Sequence, residues 1–74
     1  MRMFANGREI DVPEQHDGTV DVQELRRIAG VSEGRMLAQQ KRTGGNHVVP
    51  TDGRVAVQPY EHFIEVPRAE RGGA

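Results

Sequence analysis

The first twelve residues alternate apolar and polar positions as a pleated pair of strands would. Asn6-Gly7 lies at the centre of the run Met1 to Val12. That dipeptide is a strong hairpin signal, because a two-residue type I′ turn needs positive φ at both central positions. Such a turn sets the register: Ala5 opposes Arg8, Met3 opposes Ile10, and Met1 opposes Val12. Met3/Ile10 and Met1/Val12 then share one face, assigned to the core. Period 2 sends Arg2 and Phe4 to the opposite face.

The pattern changes period after a polar connection from Pro13 to Gly18. Val22, Leu25, Ile28 and Ala29 form one apolar stripe at helical spacing, while Gln23, Arg26 and Arg27 face water. Asp21 is a natural N-cap, with Glu24 three residues on at capping-box spacing, and Val20 can staple to Leu25. Gly30 stands where a left-handed residue ends a helix, with Val31 able to cover that end. The helix is short, about two to three turns, so it depends on the packing of its stripe.

The remaining elements are short. Arg35 to Lys41 reads as a strand, although periodicity leaves open whether Met36 or Leu37 points inward. Thr43 to Asn46 is a turn, and its Gly44-Gly45 pair is an internal turn signal. His47 to Val49 is a very short strand stopped by Pro50, as suits a sheet edge. Thr51 to Arg54 turns again, and Val55 to Val57 is apolar but brief. Tyr60 to Val66 ends in a final strand, with Ile64 and Val66 on one face and Phe63 and Glu65 on the other. Hairpin, helix and later strands predict an α+β fold: a mixed four- to five-stranded sheet with one helix across it, the β-grasp arrangement. Residues 1–67 form the domain, and residues 68–74, which have no apolar pattern, are expected to be a flexible tail.

Composition narrows the function. A chain of 74 residues is one small domain, without room for a deep catalytic cleft beside a supporting core. Leu, Ile, Val and Phe number 16 of 74, just above the roughly one-fifth at which disorder sets in, but the net charge of −1 opposes disorder. Nine of those 16 are Val, which favours sheet. With no cysteine there is no disulfide, thiolate metal site or thiol nucleophile, which fits a reducing, cytoplasmic setting. No apolar run is long enough to span a membrane, and no signal peptide opens the chain. Ten basic against 11 acidic residues argue against a nucleic-acid binder. His16, His47 and His62 lack ligand spacing, so no metal is expected. No carboxylate pair, nucleophile with its base or phosphate loop stands out, so the chain is not expected to be an enzyme. Lys41 is its single lysine beside nine arginines, as a preference for arginine codons produces.

The hairpin that opens at residue 1, the helix in second place and the ending Arg71-Gly72-Gly73-Ala74 together give a resemblance. The chain resembles ubiquitin-like β-grasp proteins, and in particular bacterial ubiquitin-like modifiers encoded with activating enzymes, conjugating enzymes and JAB-type metallopeptidases. Phe63-Ile64-Glu65-Val66-Pro67 is similar to the strand end of that group. The likeness implies a modifier, monomeric, whose glycine carboxylate an E1-like activating enzyme adenylates with ATP. It would then pass as a thioester to cysteine, through an E2-like conjugating enzyme, and be joined to a target protein. The modifier itself holds no cofactor. The implied conjugation site is Gly73 with Gly72, and a peptidase that processes or deconjugates would cut between Gly73 and Ala74. Arg68 and Arg71 would pair with acidic groups along a partner's channel. From Pro67 through Gly73, seven residues at about 3.3 Å each reach about 23 Å, enough to enter another enzyme's cleft.

Two departures from the family pattern stand out. Ala74 follows the glycine pair, and Ala69 and Glu70 replace the alternating Leu and Arg of ubiquitin-type tails. Two other roles are compatible with the same layout: a β-grasp sulfur carrier forming a terminal thiocarboxylate, and a non-conjugating β-grasp protein-binding module. Phe4 and Phe63 are expected on the sheet face away from the helix. If the first and last strands are neighbours, their rings form an exposed patch for a partner. A final strand shifted by one residue would instead bury Phe63.

Overall fold

The computed structural model describes residues 1–15 and 17–67. Asn6 and Gly7 take φ values of 52° and 80°, as the type I′ turn demands. The turn joins β1 (Arg2–Ala5) to β2 (Arg8–Asp11) with Met3 opposite Ile10 and Ala5 opposite Arg8. The pairing continues beyond the strands: the Val12 N–H donates to the Met1 carbonyl at 2.9 Å. The terminal ammonium donates to the Val12 carbonyl at 2.7 Å.

Among the described residues one helix forms, α1 (Val22–Ala29), clasped at both ends as its sequence dictates. The Asp21 carboxylate accepts the Glu24 N–H at 2.9 Å. Gly30 takes φ of 75°, and its N–H reaches the Arg27 carbonyl at 3.2 Å while Val31 N–H reaches Arg26 at 3.0 Å. These paired bonds satisfy carbonyls that an open helix end would leave to water. Val22, Leu25 and Ala29 are buried, with Ile28 and Val31 packed beside them.

Ahead of the helix lies a strand with no counterpart in the sequence reading, β3 (Thr19–Asp21). It pairs antiparallel with β6 (Arg54–Ala56), placing Val20 against Val55. Three residues cannot display a period, and their partner lies far along the chain. The pairing is visible only in three dimensions. Val20, expected only as a helix staple, is fully buried within this small sheet.

The main sheet adds β4 (Arg35–Gln40), β5 (Asn46–Val49) and β7 (His62–Pro67), in the order β2-β1-β7-β4-β5. β1 and β7 run parallel, and the other neighbours are antiparallel. One face packs on α1 and the β3–β6 pair, burying Met3, Ile10, Leu25, Leu37, Val49 and Phe63 together. The ambiguity in β4 resolves with Leu37 inward and Met36 half-buried on the other face. The result is an α+β fold, a mixed five-stranded sheet with one helix in a β-grasp-like arrangement. Among the described residues no helix is long and apolar enough to cross a membrane.

Candidate functional site

β7 leads directly to the glycine-containing end of the chain, and it is held from both sides. Toward β1, Phe4 N–H donates to the Glu61 carbonyl and Asn6 N–H to the Phe63 carbonyl, each at 2.9 Å. The hairpin then turns away, and the Asn6 side chain takes over the ladder. Its Oδ1 accepts the Glu65 N–H at 2.9 Å. Toward β4, the ladder runs from Arg35 opposite Pro67 to Gln39 opposite Phe63, and Arg35 pairs with Glu65 at 3.0 Å. The last described strand is thus a central, doubly bonded one.

The expected Phe4–Phe63 patch does not exist. The parallel register sets Phe4 beside His62 and Ala5 beside Phe63, so Phe63 faces the helix and is only 1% exposed. The reason is volume: Ala5 leaves space in the core that an aromatic ring fills, while Glu65 on the same face lies at the rim beside Arg35. Phe63 belongs to the core. The small Ala5 on the neighbouring strand was the available clue to that register.

What stands beside Phe4 instead is an aromatic cluster. The Phe4 and His62 rings stack with centroids 4.7 Å apart, and Tyr60 lies 6.3 Å from Phe4. Ile64, Val66, Met36 and Ala38 continue this helix-free face, and Val48 at its edge is half exposed. Tyr60 was missed by sequence reasoning, as was the latch made by Asn6. Tyr60 is 60% exposed and has φ of 62°, an unusual conformation for a bulky residue. A hydrogen bond from its N–H to the Arg2 carbonyl, at 2.7 Å, holds it there. Nothing in Pro59-Tyr60-Glu61 signals that conformation in advance.

An open groove of about 880 Å³ begins at this cluster and runs between Gln39–Arg42 and Ala56–His62. At its floor the buried Gln39 side chain donates to the Ala56 carbonyl at 2.9 Å. Elsewhere at the surface Arg2 pairs with Glu9, Arg27 with Glu24, Arg35 with Glu65 and Arg54 with Asp17. The Arg2 guanidinium is held above its ordinary range by its hydrogen bond and charge pairing with Glu9, and Arg27 likewise by Glu24. The hydroxyl of Thr19 is the main cause that lowers the Asp17 carboxyl. Among the described residues no group of three or more His, Asp or Glu side chains is placed to hold a metal ion. Arg68, Arg71, Gly72, Gly73 and Ala74, the expected tail recognition, conjugation and processing residues, lie outside the described residues, as does His16.

No family model matches the chain, and neither known proteins nor solved structures give a significant match.

Proposed function

We propose that this chain is a ubiquitin-like protein modifier, used through the carboxylate of Gly73 after removal of Ala74. The observation that carries the reading is the position of β7. It is central in a β-grasp-like sheet, bonded on both sides, and its sequence continues from Pro67 into Arg68-Ala69-Glu70-Arg71-Gly72-Gly73-Ala74. A central strand bonded on both sides fixes the position of Pro67, where the glycine-containing segment begins in sequence. Glycine pairs pass through narrow channels because they have no side chain to clash. The chemistry belongs to partners: an activating enzyme transfers AMP from ATP to the Gly73 carboxylate with release of pyrophosphate. A cysteine thiolate then displaces AMP to give the thioester. A target nucleophile finally displaces the thiol.

The test is denaturing capture of an amino-terminally tagged full chain from cells in which the protein occurs. Expected are adducts of higher mass that disappear when Gly72, Gly73 and Ala74 are deleted. Adducts unaffected by that deletion would overturn the proposal, as would their complete absence. A thiocarboxylate on Gly73 in place of adducts would assign the chain to the sulfur carriers. The helix-free aromatic face favours a second reading, a module that binds a partner without conjugation. In that case partner capture survives the deletion and is lost with Phe4→Ala.

A further inference from the structure

The groove beside the aromatic cluster arises because β4 outruns its neighbour. Its ladder with β5 continues to Gln40 opposite Asn46, whereas its ladder with β7 ends at Gln39 opposite Phe63. The chain before β7 swings away from β4 toward β1, where the Tyr60 N–H bonds to the Arg2 carbonyl. The separation leaves one flank of Gln40–Arg42 facing the groove rather than a strand. An extended segment has the shape to occupy that flank.

Charge supplies the chemistry of the occupant. Arg2, Arg27, Arg35 and Arg54 each pair with a carboxylate. Arg8 and Arg26 donate to main-chain carbonyls. Lys41 and Arg42 line the groove and, among the described residues, make no ion pair or side-chain hydrogen bond. The acid on the opposite wall, Glu61, is turned into its own loop, where Oε1 accepts the Gln58 N–H at 2.9 Å. At the mouth, Tyr60 keeps a large exposed ring at a backbone position where asparagine or glycine would be unstrained.

We infer that this groove docks an extended acidic segment of a partner protein, its carboxylates on Lys41 and Arg42 and an apolar side chain on Tyr60. Two cations on a chain of net charge −1 suit a short acidic peptide better than a polyanion, whose binding scales with the number of phosphates neutralised. The site is independent of any reaction at Gly73.

The test is an amide-resolved NMR titration of the full chain with a peptide of alternating glutamate and valine. A lysine–valine peptide and an oligothymidylate are titrated in parallel. The acidic peptide is expected to shift Gln40–Arg42 and Tyr60–His62. A Lys41→Glu, Arg42→Glu double variant should weaken it by about tenfold without unfolding the chain, since both residues are exposed. Tyr60→Asn keeps the left-handed turn and should weaken binding while leaving the thermal midpoint equal or higher. The proposal is overturned if the acidic peptide shifts none of these amides, or if the lysine peptide binds equally well. Tighter binding of the oligonucleotide would also overturn it and make the groove a nucleic-acid site.

Discussion

The two faces of β7 differ more than their sequences suggest. Phe63 on one face is sealed beneath the helix, while Ile64 and Val66 on the other stay partly exposed. The covered face has α1 and the β3–β6 pair above it, so its side chains are fixed by packing. The open face has only its own neighbours, and its aromatic cluster ends at a groove. Apolar character therefore says little about a residue's role until its face is known. An aromatic ring holds the fold together on one side, as Phe63 does, and is presented to solvent on the other, as Tyr60 is.

The largest test of this contrast is truncation on either face. Phe63→Ala should destabilise the domain by about 3–5 kcal/mol in urea unfolding, as loss of a buried ring does. Ile64→Ala should cost less, about 1–2 kcal/mol, because its side chain is already partly exposed. Equal losses would abolish the distinction between the faces. The clasp that holds the helix over the covered face comes next. Gly30→Ala forces a side chain into a left-handed position at φ of 75° and should cost about 1–2 kcal/mol.

Asn6 belongs to neither face but bonds the hairpin to the edge of β7. Asn6→Gly preserves the turn and removes only the acceptor for Glu65, so it should cost about 1 kcal/mol. It should also speed amide exchange at Glu65 more than at Phe63. The smallest effect lies in the pair of strands that completes the covered side. Asp17, beside β3, has its folded-state pKa lowered, chiefly by the Thr19 hydroxyl. Its contribution is therefore complete above the ordinary aspartate value of about 3.9 and is lost as the pH falls through the lowered folded value. The stability difference between the natural chain and Asp17→Asn should be constant near neutrality and vanish in strong acid.

Local chemistry was legible in the sequence wherever it is decided by neighbours along the chain. Asn6-Gly7 set the hairpin register, and Asp21, Glu24 and Gly30 set both ends of the helix. The inward direction of Leu37, the burial of Phe63 and the pairing of β3 with β6 depend on partners distant in sequence. No spacing within these short segments encodes them. At the candidate site His62 was read only as lacking ligand spacing and Tyr60 only as the start of the final strand segment. Their stacking with Phe4 follows from the parallel β1–β7 register, which no turn specifies.

The central proposal is that the chain is a protein modifier whose reactive group is the Gly73 carboxylate. Intact mass of the full chain, measured after incubation with ATP in extract of the cells that produce it, tests this most directly. The account predicts loss of Ala74, followed by an ATP-dependent adduct on the Gly73 carboxylate that thiols release at the thioester stage. A chain whose mass stays unchanged with and without ATP would contradict it, as would an adduct that forms equally well when Gly73 is deleted.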